Sequence, residues 1–314
     1  MSTHTDNTQI PPKAPDTTAT LRINRVNRTY PNGVQALRDV ELNIGCGLFG
    51  LLGPNGAGKS SLMRTIATLQ SPDSGSVTLD DVDIFNDPRA HRRRLGYLPQ
   101  DFGVYPRVSA FDLLEHIALL KGIVDGRARR HQIEALLIQT NLWDHRRKAV
   151  GGFSGGMRQR FGIAQALLGD PRLVIVDEPT AGLDPEERNR FHNLLSEIGE
   201  NVIVILSTHI VEDVRQLCPK MAILQDGSVV CQGTPDELMT GLHGRVWSAT
   251  IPKQNVTSYR ESMHVLSAQL HAGLTRLRVL SEQDPGAPFS SVEPELEDVY
   301  FSVVTPQRRF PEES

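Results

Sequence analysis

The residues with the clearest chemistry lie between positions 47 and 69, where the sequence reads GLFGLLGPNGAGKSSLMRTIATL. A short apolar run predicts a strand, a glycine-rich loop follows it, and Leu62, Met63, Ile66 and Leu69 fit one face of a helix. Strand, GxxxxGKS loop and helix in this order predict a phosphate-binding P-loop. The glycines let backbone N–H groups converge on a polyphosphate, and the helix adds the positive end of its dipole. The residues expected to bind are Gly53, Pro54, Asn55, Gly56, Ala57, Gly58, Lys59, Ser60 and Ser61.

Two side chains of this loop have distinct expected roles. Lys59 would reach the β- and γ-phosphates of a nucleotide, and the Ser60 hydroxyl would hold Mg²⁺. The alternative is a flexible glycine turn before a core helix, which needs no ligand. The order of strand, loop and helix, together with motifs further along the chain, favours the phosphate site.

A pair of carboxylates follows a second predicted strand. The run from Leu173 to Val176 is apolar at every position, as a central parallel strand should be, and it ends in Asp177 and Glu178. Buried charges need partners, and ligands of open α/β sheets bind at this end of the strands. We therefore expect Asp177 to hold Mg²⁺ opposite Ser60, and Glu178 to polarise an attacking water as general base. A purely structural carboxylate pair is the alternative.

Three further residues stand at the ends of predicted strands. His209 follows the buried run from Val202 to Leu206, on the edge predicted for Asp177 and Glu178, so we expect it to act in the site. Tyr30 ends the alternating run 21–30, and its ring is either an ordinary strand-end aromatic or a surface on which adenine stacks. Gln100 follows the apolar run 95–99 and by itself indicates little.

A second glycine-containing loop precedes a helix at Ser154, Gly155 and Gly156. Ser154 is a good N-cap, and the apolar face that follows repeats at Met157, Phe161, Ala164 and Leu168. The loop is either a common glycine-tolerant helix start or a second anion site, since N–H groups at a helix N-terminus favour phosphate.

Length and composition limit the class of protein. The 314 residues suffice for one large or two modest domains, and the net charge of −4 provides no positive field to recruit nucleic acid or anionic membrane. Three cysteines show neither metal-ligand spacing nor a disulfide framework, which suits a reducing cytosol. No apolar run has the length of a membrane span, so we expect a soluble chain.

The element pattern predicts an α/β fold with a P-loop NTPase core, in which a mostly parallel sheet carries helices on both faces. Alternating runs before the P-loop predict an antiparallel β subdomain. Residues 103–160 predict an inserted helical subdomain, with one apolar stripe at Phe111, Leu114, Ile117 and Leu120. Residues 1–20 are polar and dotted with proline, and they predict a disordered leader. The ATPase domain is expected at 21–240, followed by a small α+β C-terminal extension at 241–314.

Taken together, the motifs resemble those of the nucleotide-binding subunit of ABC transporters, over residues 21–240. In the family's order they correspond to the A-loop aromatic (Tyr30), the Walker A loop (Gly53 to Ser61), the Q-loop (Gln100), the signature loop (Ser154, Gly155, Gly156), Walker B (Asp177, Glu178), the D-loop (Leu183, Asp184) and the switch histidine (His209). The signature departs from the usual LSGGQ, since it reads FSGGM. Backbone N–H groups and the serine hydroxyl make the main phosphate contacts, so we expect Phe153 and Met157 to be tolerated.

The resemblance implies a mechanism. Two such subunits, identical or paralogous, pair head to tail, and each ATP lies between the Walker A loop of one and the signature loop of the other. Ser154 and Gly156 would contact the γ-phosphate across the dimer, His209 would hold that phosphate and the attacking water, and Gln100 would sense metal and water. Gln100 and the helical subdomain would pass the motion to a membrane permease, which places the chain at the cytoplasmic face of the cell membrane.

The C-terminal sequence indicates to which branch of the family the chain is similar, export or import. The run Leu296-Glu297-Asp298-Val299-Tyr300 resembles the ending of subunits in the ABC-2 export branch, which serves drugs, polysaccharides and lipids; the alternative is an ordinary acidic amphipathic helix. An importer ATPase is the nearer rival function. A soluble ABC ATPase acting on DNA or ribosomes is the other, and the single cassette, the missing heptad insertion and the negative charge argue against it. The transported substrate is not encoded in these motifs.

Overall fold

The computed structural model describes residues 19–100, 103, 105–180 and 182–305. The strands are β1 (Thr20–Thr29), β2 (Gln35–Gly45), β3 (Gly47–Leu52), β4 (Ser74–Leu79), β5 (Val82–Asp83), β6 (Leu95–Leu98), β7 (Leu173–Asp177), β8 (Ile203–Thr208), β9 (Lys220–Gln225), β10 (Ser228–Gly233), β11 (Val246–Pro252), β12 (His264–His271), β13 (Leu274–Leu280) and β14 (Ser290–Ser291). The α-helices are α1 (Lys59–Ile66), α2 (Pro88–Arg93), α3 (Ala110–Leu120), α4 (Gly126–Gln139), α5 (Gly155–Leu167), α6 (Pro185–Gly199), α7 (Val211–Leu217), α8 (Pro235–Thr240), α9 (Val256–Ser262) and α10 (Leu296–Val304). β1 begins at Thr20, the last residue of the predicted leader, and residues 1–18 lie outside the described residues.

The central sheet has the strand order β10-β9-β3-β8-β7-β6 within the described residues. Its strands pair in parallel except for β10, which is antiparallel to β9. Every residue of β7 and β8 is buried, because both faces of this sheet are covered by other elements. The α/β core with a mostly parallel sheet, predicted from the sequence, is confirmed.

Alternate residues of the central strands enter two apolar clusters, one on each face of the sheet. One cluster joins Leu52, Val176 and Leu206 to helices α5, α6 and α7. The other joins Leu51 and Ile175 to α1 and to the antiparallel sheet, which has the order β2-β1-β4-β5. The sheet is thereby fixed between helices on one side and α1 with the β subdomain on the other.

The structure corrects two apolar stripes assigned from periodicity. Leu69 was expected on the buried face of the P-loop helix, but α1 ends at Ile66 and Leu69 is 57% exposed. Leu120 was expected in a stripe with Phe111, Leu114 and Ile117, but it is 74% exposed at the end of α3. Both stripes extended past the point where the helix faces a neighbour, since periodicity alone does not define where packing stops.

The helical insertion is attached to the core by Lys121, which follows α3. Its ammonium donates to the carbonyl oxygens of Leu95, Ala166 and Leu168, at 3.2, 3.3 and 2.6 Å. Burial lowers the pKa of Lys121 to about 8. One side chain thus joins α3 to the start of β6 and the carboxyl end of α5.

The C-terminal residues form a third sheet, of order β12-β13-β11-β14 in the described part of the chain, with α9 and α10. A buried ion pair holds α10 to this sheet, since Arg278 Nε donates to Asp298 Oδ1 at 2.8 Å. Leu266, Leu296 and Tyr300 belong to the same apolar cluster as α7, so the extension packs directly on the core. None of the described helices is both long and apolar enough to span a bilayer.

Candidate nucleotide-binding site

A cleft of about 620 Å³ opens at the carboxyl ends of β3, β7 and β8. These ends meet because parallel strands run in one direction, and ligands of open α/β sheets bind there. The cleft collects predicted site residues from several separate segments: Tyr30, Pro54, Asn55, Gly56, Gly58, Lys59, Ser60, Ser61, Gln100, Asp177, Glu178 and His209. Gly53 and Ala57 are buried beneath the loop, whereas Ser154, Gly155 and Gly156 lie elsewhere, at the start of α5.

Neighbouring backbone fixes the shape of the P-loop. Gly58 has φ +105°, and a Cβ there would come within 2.4 Å of the carbonyl oxygen of Ala36. The N–H of Gly227, in the turn between β9 and β10, donates to the carbonyl oxygen of Ala57 at 3.0 Å. Helix α1 starts directly after the loop, and among the described residues no side chain caps its N-terminus. Its first N–H groups are therefore oriented toward the cleft without a side-chain acceptor, as a phosphate site requires.

Lys59 is held inside this loop. Its side chain is buried, and Nζ donates to the carbonyl oxygens of Gly53 at 2.5 Å and Pro54 at 3.2 Å. Nζ also lies 4.0 Å from Glu178 Oε1. Burial lowers the pKa of Lys59, and the charges of Glu178 and Asp177 partly oppose that shift. The ammonium thus lies between the loop and the two carboxylates that the sequence predicted.

The backbone of Glu178 turns sharply after β7. Its φ is +49°, in the left-handed region that non-glycine residues seldom adopt, and its N–H donates to the carbonyl oxygen of Ser207 at 2.8 Å. The side chain is 8% exposed, and Oε2 lies 2.7 Å from His209 Nδ1. Strained backbone of this kind is common at functional sites. The turn brings a buried carboxylate and a half-exposed histidine together at the cleft.

The donors that fit a metal are oxygen atoms. Burial raises the pKa of Asp177, while the neighbouring Ser207 hydroxyl and the charge of Lys59 act in the opposite direction. Among the described residues, no group of three or more His, Cys, Asp or Glu side chains could hold a metal ion alone. Mg²⁺ commonly takes one or two protein oxygens and completes its shell with phosphates and water. The Ser60 hydroxyl, the Asp177 carboxylate and the Gln100 amide fit that pattern.

Tyr30 lies at the rim of the cleft. Its hydroxyl donates to Gln70 Oε1 at 3.1 Å and lies 3.0 Å from Ser61 Oγ, which fixes the ring beside the P-loop. The Arg28 guanidinium is 5.6 Å from the ring centre. These contacts hold the ring at the rim of the cleft.

The signature loop forms the start of α5. Ser154 is its N-cap, as predicted, because Ser154 Oγ accepts the N–H of Met157 at 3.2 Å. Phe153 is buried edge-on against Phe161, with ring centres 6.1 Å apart. The phenylalanine of FSGGM therefore serves the core. Gly156 is buried, and Glu187 of α6 covers it.

We expect Gly156→Ala to destabilise the fold by about 1–3 kcal/mol, the usual range for overpacking. A Cβ at position 156 would lie 2.2 Å from Glu187 Oε2 and 2.7 Å from its Cγ, so the whole side chain must leave its place. Gly155→Ala is the matched control, because no described atom lies within 4 Å of a Cβ there. Denaturant titration of both variants measures the effect, and equal stabilities would contradict the described packing of α6 on α5.

Part of the cleft wall was not predicted from the sequence. The missed residues come from the segment after β1 and from the turn between β9 and β10: Val34, Gln35, Ala36, Arg38, Asp226 and Gly227. The only available signal was the Asp226-Gly227 pair, which predicts a hairpin turn. It does not predict that the turn supports the P-loop.

This geometry defines a P-loop site for a nucleoside triphosphate, with the buried Glu178 carboxylate beside it. Residues 37–181 match the family model described as ABC transporter. The chain is 33% identical over 258 residues to the daunorubicin/doxorubicin resistance ATP-binding protein DrrA of Streptomyces peucetius. This match covers 82% of the chain and 76% of DrrA. The phosphonates import ATP-binding protein PhnC 1 of Rhodopseudomonas palustris is 35% identical over 258 residues, covering 73% and 92%.

The probable multidrug ABC transporter ATP-binding protein YbhF of Escherichia coli K12 is 33% identical over 239 residues. The match covers 75% of this chain but only 41% of the length of YbhF. Among solved structures, a dimeric ATP-binding cassette in a post-hydrolysis state with ADP and Pi has a TM-score of 0.61 and 28% identity, covering 68% of this chain and 98% of the cassette. The chain belongs to the ABC transporter family of ATP-binding proteins, and its cassette is an ATPase domain. The resemblance and the fold stated from the sequence are thereby confirmed.

Proposed function

We propose that this chain is the ATP-binding and ATP-hydrolysing subunit of an exporter. It forms a head-to-tail dimer with a second such subunit when ATP binds, and ATP hydrolysis drives transport through a separate membrane permease. The observation that carries the proposal is the separation of two phosphate-type loops on one chain. Lys59, Asp177 and Glu178 line a single cleft, whereas the Ser154 helix tip lies at the start of α5, outside that cleft. A second subunit brings the missing loop to each site.

Within the cleft, each residue has one role. Lys59 leaves the carbonyl oxygens of Gly53 and Pro54 and binds the β- and γ-phosphates, while the ring of Tyr30 stacks on adenine. Ser60, Asp177 and Gln100 supply oxygens to Mg²⁺, which offsets phosphate charge. Glu178 accepts the proton of the attacking water, and His209, 2.7 Å from its carboxylate, orients water and γ-phosphate.

The dimer contact follows from the geometry of α5. Ser154 and Gly156 present a hydroxyl and helix N-terminal N–H groups, which suit the γ-phosphate of ATP bound to the other subunit. Loss of that phosphate on hydrolysis removes the shared contact and opens the pair. The dimeric cassette with ADP and Pi supports this assembly.

Export is supported by the similarity to DrrA and by the LEDVY sequence of α10. The permease would hold the chain at the cytoplasmic face of the membrane. An import role is the second candidate, favoured by the similarity to PhnC 1. A neighbouring gene for a permease without one for a solute-binding protein would support export over import.

The shared sites are tested by mixing two inactive variants. Lys59→Ala removes the lysine that binds phosphate, and Ser154→Arg blocks the signature loop at the start of α5. A dimer of either variant alone therefore contains no intact site. A mixed dimer has one site with both Lys59 and Ser154 intact. We expect ATP hydrolysis to reappear on mixing, measured as phosphate release. A mixture as inactive as its components would contradict sites built from two subunits.

A further inference from the structure

A buried aspartate outside the nucleotide cleft connects the segments that carry the hydrolytic residues. Asp213 lies on α7, one helical turn after His209, and is 0% exposed. It accepts hydrogen bonds from Thr180 Oγ1 at 2.5 Å and Arg188 Nε at 2.8 Å, and His192 Nε2 lies 3.0 Å from it. Burial raises the pKa of Asp213, but hydrogen bonds from His192, Thr180 and Arg188 outweigh that effect and hold the pKa below its usual value. The carboxylate is therefore charged in the folded protein.

The partners of Asp213 come from the loops that follow the catalytic strands. Thr180 stands just after Glu178, and its carbonyl oxygen accepts the N–H of Leu183 at 3.2 Å. Arg188 lies on α6, which begins immediately after Asp184. The Asp213 carboxylate, which lies on α7, thus connects the loop after Glu178 with α6. Hydrogen bonds inside a low-dielectric interior are strong, so these contacts hold the three segments in one arrangement.

The contacts continue from α6 to the signature helix. Next to Arg188, the Glu187 side chain lies over Gly156, and its Oε2 is 3.6 Å from Arg160 Nη2. Gly156 and Arg160 belong to α5, whose N-cap is Ser154. A series of contacts, buried at Asp213 and partly exposed at Arg188 and Glu187, therefore connects the loop after Glu178 to the start of α5, which is assigned to the other subunit's ATP.

We propose that Asp213 is a positioning residue that couples hydrolysis in one nucleotide site to the signature helix that serves the other. The coupling rests on the proposed head-to-tail dimer. A change in the contacts of Glu178 and His209 shifts Thr180 and α7. Asp213 then displaces α6 through its contact with Arg188. Glu187 of α6 in turn displaces the start of α5. The charge of Asp213 keeps these three segments in one arrangement, and its partners transmit the displacement.

The first test removes one hydrogen bond from the cluster in the full-length protein. Thr180→Val keeps the volume of the side chain but removes the donor to Asp213, and Thr180→Ser keeps the hydroxyl. For Thr180→Val we expect a kcat about tenfold lower, an unchanged ATP dissociation constant and a Hill coefficient for ATP hydrolysis near one. Thr180→Ser is expected to restore the wild-type kcat and Hill coefficient. A merely structural role of the cluster would lower the melting temperature and leave the Hill coefficient unchanged, which would overturn the proposal.

The second test lies at the far end of the series and does not touch the core of the cluster. Glu187→Gln weakens the contact with Arg160, and Glu186→Gln is the control, since Glu186 is exposed and pairs with Arg190. We expect Glu187→Gln to lower the Hill coefficient and Glu186→Gln to leave it unchanged. If wild-type protein hydrolyses ATP without cooperativity, the two-site dimer and the coupling both fail. If wild type is cooperative and Glu187→Gln equally so, the coupling alone fails.

Discussion

Replacing Glu178 by Gln is expected to lower the rate of ATP hydrolysis by about 10²- to 10⁴-fold, the contribution typical of a general base. Gln keeps the size of the side chain and a hydrogen-bond acceptor, but it cannot take a proton from water. The P-loop is unaltered, so ATP affinity should stay close to wild type. Because the γ-phosphate is not removed, the closed dimer should accumulate.

The measurement combines phosphate release with size-exclusion chromatography in the presence of ATP and Mg²⁺. Glu200→Gln is a suitable control, since Glu200 is an exposed carboxylate at the end of α6. Turnover by Glu178→Gln close to that of Glu200→Gln would remove Glu178 from the role of base. Slow turnover without dimer accumulation would retain the base and contradict ATP-driven closure.

Replacing Lys59 by Ala is expected to weaken ATP binding by about a hundredfold or more, since hydrogen bonds to charged groups contribute about 1.5–3 kcal/mol each. The lysine is the cationic side chain of the P-loop, and its Nζ lies 4.0 Å from Glu178 Oε1. Without it, Asp177 and Glu178 face the phosphates with no positive charge from the loop, which adds repulsion to the lost contacts.

Calorimetric titration with ATP and Mg²⁺ measures this loss, and Lys253→Ala provides the control on an exposed lysine of the C-terminal sheet region. A dissociation constant for Lys59→Ala equal to that of the control would contradict the phosphate site. Thermal denaturation of both variants shows whether the fold is retained.

The sequence predicted the parts of the site that depend on local spacing. The P-loop lies between β3 and α1, Asp177 ends β7 and Ser154 caps α5, each because a short motif carries its own geometry. The clustering of Lys59, Glu178 and His209 was also predictable, since parallel strands place their carboxyl ends on one edge.

The rest depends on contacts between distant segments. Nothing in the sequence around Asp226 and Gly227 indicates that their turn supports Ala57, because the position of β10 at the sheet edge is set by pairing across the sheet. Asp213 gave no signal either, since an acidic residue in a helix is usually solvated and its partners lie on other elements.

The shared apolar cluster of α7 and the C-terminal sheet affects how the molecule melts. Tyr300 and Leu296 belong to one continuous cluster with Val214, so separating the extension exposes interior surface of the ATPase domain. Burial and, after it, the charge of Glu178 raise the pKa of Tyr300, and Tyr300 lines one cavity together with His209, so α10 lies near the cleft. Heating should therefore produce one cooperative unfolding transition, in which the extension and the cassette lose structure together.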